Sequence, residues 1–249
     1  IIGTYNSNYG KDKESSTIVI INLPLFVATF SMNERLGHEN QKIEFSKKHI
    51  QHFITLNGRA DIYRALILDK LKKNRLLTST NYSWNNKLDE SSPNEFSIEH
   101  FDNNLQFLDN SSGTFSPKFF PKVAKLSLLY LATESTHNAS FITEKVFRAM
   151  REKIPVIAFG CVGINQKLKE LGFLIPEHYI NMNFDNIEDV DRRAEALALA
   201  LTEFSNIPKR QLYKPFKKIA EHNFNRLLDI CENPNDYWPD LLKDDPRYY

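Results

Sequence analysis

Apolar positions change their period several times along this chain, and each change marks an element. Residues 17–23 form a short, continuous β-branched run, the pattern of a buried strand. Residues 31–48 are polar and irregular. A second strand is expected over 52–57, broken by Gly58, and 60–73 then takes up the helical period with Ile62, Leu66, Leu68 and Leu71 as its apolar positions. Residues 76–83 read as a further short strand, and the Asn, Asp, Ser, Gly and Pro clusters of 84–118 as mostly loop. The pattern then sharpens: strand 125–132, loop 133–142, helix 143–153 with Val146, Phe147 and Met150 on one face, strand 155–160, and a short helix 163–171 stopped by Gly172. Two strongly periodic helices follow, 187–204 and 211–230, the second striped by Leu212, Phe216, Ile219, Ala220, Phe224 and Leu227.

Strands alternating with helices predict an α/β fold, a parallel sheet joined by helical crossovers. Ligands of such sheets sit at the carboxyl ends of the strands, near helix N-termini. The loop 133–142, leading into a helix at 143, is therefore the first place to look for a site.

Composition adds bounds. With 249 residues the chain is long enough for one large domain or two small ones, and its net charge of +1 gives no basic field to support a nucleic-acid partner. The longest apolar run, near 17–30, is interrupted by Asn22 and Pro24 and is too short for a membrane span. Cys161 and Cys231 have neither metal-ligand nor disulfide-framework spacing, which suits a reduced, cytoplasmic setting. The sequons at Asn81, Asn110 and Asn138 include one in the candidate site loop, which argues against secretion.

The chemistry gathers between 134 and 148. Thr143 is placed to cap a helix whose first amides have no internal partners and carry partial positive charge. Such a terminus suits a phosphate. Lys145 adds a positive charge in the first turn, and Arg148 follows about one turn later. Glu134 and Glu144, carboxylates in a site for an anion, suit ribose hydroxyls. The plain alternative is a capped surface helix with a solvated Glu-Lys-x-x-Arg face. His137 in the same loop fits either contact with phosphate or acceptor, or a solvated histidine; Asp189-Val190-Asp191 imitates a metal motif but suits a helix start.

The stretch Thr133-Glu134-Ser135, then Phe141-Ile142-Thr143-Glu144-Lys145-Val146-Phe147, then Ile154-Pro155-Val156-Ile157-Ala158-Phe159-Gly160 resembles the signature of the α1,3-fucosyltransferases. Upstream, strand 52–57 with Arg59 and Arg64 is similar to the start of that family's donor domain. Residues 52 to about 205, with Leu171-Gly172-Phe173 and Phe184-Asp185, also resemble a group of viral and phage glycosyltransferases. The resemblance implies a GT-B-like glycosyltransferase with a Rossmann-like parallel-sheet donor domain over 51–205. A reduced acceptor-side element over 1–50 and helices of 206–249 packing back on it would complete the fold.

It further implies a nucleoside diphosphate sugar donor, bound without metal or separate cofactor, and a glycan or glycoconjugate acceptor. Lys145 and one of Arg59 or Arg64 would neutralise the diphosphate, and Glu144 would take the ribose. Phe141 stands where the family has Tyr, and Ser135 where it has Asn, so GDP-fucose is only slightly favoured over other GDP or UDP sugars.

An inverting transfer needs a general base and stabilisation of the leaving diphosphate. The second has its candidates. For the first, Glu134 lies inside the site but suits substrate positioning, Glu34, Glu39 and Asp61 read as surface carboxylates, and no base is assigned. Two other readings stay open: glycosylation of a modified base in phage DNA, and a non-catalytic nucleotide-sugar or glycan-binding domain.

Overall fold

The computed structural model describes residues 51–57, 61–78, 80–84, 122–135, 137 and 142–233. The expected strand 17–23, the polar stretch 31–48, nearly all of the loop 84–118, and Glu34, Glu39, Arg59 and Phe141 lie outside them. At the centre runs β3, Ser127–Thr133, with every residue buried. A strand without polar alternation is one covered on both faces, and its neighbours follow that rule. β1 (Gln51–Leu56) pairs with it in parallel, Phe53 opposite Leu129, and β4 (Val156–Phe159) pairs in parallel on the other side, Leu131 opposite Ile157. The short β2 (Tyr82–Ser83) adds to the far side of β1 and gives the order β2-β1-β3-β4.

The helices are α1 (Ile62–Lys73), α2 (Glu144–Arg151), α3 (Ile164–Glu170), α4 (Val190–Ser205) and α5 (Lys209–Glu232). From β1 the chain crosses through α1 towards β2; from β3 it crosses through α2 in the opposite direction, towards β4. Right-handed crossovers running in opposite directions put their helices on opposite faces. α4 accordingly packs with α1, and α5 packs with α2. All six apolar positions expected on the last helix are buried. No helix among the described residues is long and apolar enough to cross a membrane.

Where boundaries differ from the sequence reading, local hydrogen bonds explain it. β3 starts at Ser127 because Lys122–Leu126 winds as a 3-10 turn, closed by Ser127 Oγ donating to Ala124 O at 2.7 Å. α4 starts at Val190 because Asp189 caps it, accepting from Arg192 N at 2.8 Å. The α1 stripe is shifted: its buried positions are Arg64, Ile67, Leu68 and Leu71, at i, i+3, i+4 and i+7, whereas Ile62 and Leu66 are only partly covered. An arginine holds an inward position there, and hydropathy alone assigns it outward. Gly172 takes a left-handed φ of 86°, and a Cβ there would meet Arg226 Nε at 2.7 Å. Only glycine meets both conditions.

The outer edge of β4 is closed by a side chain. Tyr130 N donates to Pro155 O and Glu134 N to Phe159 O, so alternate residues of β4 face β3 and Ala158 faces away. Asn165 on α3 meets that free peptide twice: Ala158 N donates to its Oδ1 and its Nδ2 donates to Ala158 O, both at 2.8 Å. Asp185, from the 3-10 turn Met182–Asn186, accepts in turn from Asn165 N, Asn165 Nδ2 and Gln166 N. Replacing Asn165→Ala strands a buried peptide and part of a buried carboxylate. It is expected to cost about 3 kcal/mol, at the upper end for unsatisfied buried groups, in urea unfolding followed by circular dichroism.

Candidate functional site

The two central strands β1 and β3 send their chains to opposite faces of the sheet, the topology that places a crevice beyond the carboxyl ends of such strands. This is the switch point at which open α/β sheets bind ligands. The first turns of α1 and α2 flank it. Asp61 caps α1, its Oδ1 accepting from Tyr63 N at 2.9 Å and Arg64 N at 3.4 Å. Thr143 caps α2, as its place in the sequence predicts, with Oγ1 accepting from Lys145 N. Below them Thr133 Oγ1 donates to Asn57 Oδ1 and ties the ends of β3 and β1 together.

Glu134, the first residue past β3, is fully buried. Its carboxylate accepts from Thr143 N (2.8 Å) and Thr143 Oγ1 (2.8 and 2.7 Å) and forms an ion pair with Lys145 Nζ (3.0 Å). Lys145 Nζ also donates to Thr143 Oγ1 at 2.9 Å. Gly160 makes room for this arrangement, because a Cβ at that position would meet Ile164 Cδ1 at 2.7 Å and Glu134 Cβ and Cγ at 3.3 Å. Both oxygens of Glu134 are thus engaged within the protein, and it presents no open edge to a ribose or an acceptor hydroxyl. The task this geometry gives it is to hold the start of α2 against the end of β3 and to aim the Lys145 ammonium.

Arg64 is 8% exposed, one turn into α1, and acts electrostatically on both Asp61 and the Tyr130 phenol. Burial raises the Asp61 carboxyl above its ordinary value, against the lowering influence of Arg64, its two backbone donors and Lys145. Arg148, largely buried, stands 4.0 Å from Glu144, whose side chain is more open, and its Nε has no hydrogen-bond partner. Ser135 sits partly exposed just beyond Glu134. The fold therefore brings Arg64, Glu134, Ser135, Thr143, Glu144, Lys145 and Arg148 to one edge of the sheet. Among the described residues, three positive side chains (Arg64, Lys145, Arg148) and three carboxylates (Asp61, Glu134, Glu144) share it, so these charges are close to balance before a ligand arrives.

Beside this crevice lies a cluster that the sequence reading did not assemble. His137 is buried, not solvated as one reading of its loop had it. Its ring stacks on Tyr63 (centroids 4.1 Å, 19° between planes) and meets the edge of Phe159 at 4.7 Å. Arg193 NH2 lies 3.2 Å from His137 Nδ1, while its NH1 donates to the carbonyls of Ile187 and Glu188. Burial, reinforced by the Arg193 charge, lowers the His137 pKa to about 4. Arg193 stands among charged residues near the start of a periodic helix, so no local signal marks it as buried. Asp189 and Asp191, the metal-like pair, are occupied otherwise: the first caps α4 and the second pairs with Lys70 at 2.9 Å. Among the described residues no cluster of metal-ligating side chains is present.

Two stability measurements probe this edge. Lys145→Met leaves Glu134 buried without its counter-charge and is expected to cost about 3 kcal/mol at neutral pH in urea unfolding, with Lys145→Met/Glu134→Gln recovering a substantial part. His137 titrates near 4 when folded and near its ordinary 6.5 when unfolded, so between those values the unfolded chain binds the extra proton. Stability should therefore fall as pH drops from about 6.5 to about 4, by roughly 3 kcal/mol from this group. His137→Phe is expected to flatten that part of the pH–stability curve. Comparison with protein-family profiles, with curated proteins and with solved structures yields no match to this chain.

Proposed function

We propose that this chain is a metal-independent glycosyltransferase of GT-B type that binds a nucleoside diphosphate sugar at the carboxyl edge of β1 and β3. The observation that carries the reading is the convergence of two helix N-termini at one switch point, each with a basic side chain in its first turn, Arg64 on α1 and Lys145 on α2, with Arg148 one turn further along α2. The positive ends of two helices and these cations together suit the two phosphates of such a donor. The Thr-Glu-Lys block and the Pro155–Gly160 strand, on which the likeness to fucosyltransferases rests, lie at this edge, and both contribute to the packing of Glu134.

In the transfer, the acceptor hydroxyl oxygen bonds to the anomeric carbon. The bond from that carbon to the diphosphate oxygen breaks, and its electron pair leaves on the diphosphate. Arg64, Lys145 and Arg148 counter the charge that grows there, which is the main electrostatic demand of the step. Glu134 keeps Lys145 in place but has no free oxygen for the acceptor proton, so the base comes from elsewhere. Glu144, the more open carboxylate of α2, is the residue suited to the ribose. GDP-fucose stays slightly ahead of other GDP and UDP sugars, on the resemblance alone.

The test is thermal and calorimetric binding of GDP, UDP and their sugars to the wild type beside Arg64→Gln and Arg148→Gln. A nucleotide at about 100 times its dissociation constant should stabilise the folded wild type by roughly 2.7 kcal/mol, and each variant should need at least about tenfold more ligand. No binding of any nucleotide by folded protein would sink the reading. Binding of a donor with neither transfer nor slow hydrolysis would instead favour the non-catalytic domain.

A further inference from the structure

Tyr63 sits in the first turn of α1, between the cap residue Asp61 and the site cation Arg64. Its backbone is fixed by the Asp61 cap bond. One face of its ring is covered by the His137 imidazole at 4.1 Å, nearly parallel. His137 is in turn wedged against Phe159, at the carboxyl end of β4, and held through Nδ1 by Arg193 of α4. Tyr63 itself remains partly exposed, and among the described residues no other ring contacts it. The chain therefore builds a backed aromatic plate at the edge of the anion crevice, and layers its support from three other elements.

Two buried polar atoms in this stack have no partner. His137, with 7% exposure, leaves Nε2 unpaired, and Arg193, with 2%, leaves Nε unpaired. With Nδ1 accepting from Arg193, the imidazole proton resides on Nε2, so both unpaired atoms are donors. Buried donors of this kind call for an acceptor. An apolar side chain in place of the histidine would stack equally well without that cost. Both donors lie behind the Tyr63 ring, on the side that His137 covers, so what the stack offers a ligand is the other face of the tyrosine.

We infer that the Tyr63 ring, backed by His137 and Arg193, is the stacking platform for the nucleobase of the donor. The proposal rests on the donor-site reading above and adds to it the subsite for the base. It places the base along the carboxyl edge from β1 and β3 towards β4, next to the crevice that takes the diphosphate. Aromatic stacking accepts any base through its π-face, so the platform supplies affinity and leaves the choice of base to other contacts.

The experiment compares calorimetric binding of GDP, UDP and inorganic pyrophosphate to wild type, Tyr63→Leu and Tyr63→Trp. Tyr63→Leu is expected to weaken GDP or UDP by about tenfold or more, the usual loss for a missing base–aromatic stack, and to leave pyrophosphate unchanged. Tyr63→Trp should keep nucleotide affinity and show fluorescence quenching by the nucleotide, but not by pyrophosphate, beyond any change in the wild type. Equal losses for pyrophosphate and nucleotide in Tyr63→Leu, or no loss for either, would overturn the platform while leaving a nucleotide-binding wild type, and hence the donor site, intact. A folded wild type that binds no nucleotide would overturn both.

Discussion

A fully buried carboxylate decides how this edge of the molecule is built. Glu134 leaves the central strand and is met at once by the amide and hydroxyl of Thr143 and by the Lys145 ammonium. A charge in such a place is tolerated only when its lone pairs are filled. The requirement fixes the start of α2 against the end of β3, sets Glu134 close beside Gly160, and sets where Lys145 can reach. The strand, helix and lysine are thereby registered to one another by electrostatics, whereas the rest of the sheet is registered by hydrophobic packing.

The same interaction changes what the site offers an anion. Lys145 is not an isolated positive charge: Glu134 neutralises it, and the surrounding cations and carboxylates nearly cancel. On the proposed donor-site reading, attraction for a diphosphate comes from direction. The positive ends of two helices and a largely buried Arg148 with one long ion pair are held in place where water screens them weakly. A crevice of this sort gains from orientation what it lacks in net charge, and it avoids the long-range pull on nucleic acid that a strongly basic surface would create.

Rigidity at the adjoining corner has a separate origin. Arg193 spans from α4 to the carbonyls before that helix and to His137 in the loop after β3, and the imidazole passes the constraint on to Tyr63 through ring contact. His137 is thus clamped between α4 and α1.

How much of this was legible beforehand differs from element to element. The unbroken apolar run of β3, the Thr143 cap and the stripe of α5 follow from period and local chemistry, because each depends on neighbours within a turn or a pleat. The likeness around Thr143-Glu144-Lys145 pointed to the edge where the basic side chains do converge. Sequence could not say that Arg64 lies inward on α1, that Glu134 spends both oxygens on α2, or that Arg193 reaches His137 across 56 positions. Those depend on which elements become neighbours, and charged residues turn inward only where a partner from a distant element waits. Local pattern therefore determined the strands, the helices and the helix starts, and only tertiary packing decided which charges remain available to a ligand, since burial and pairing exist only once the chain has closed on itself.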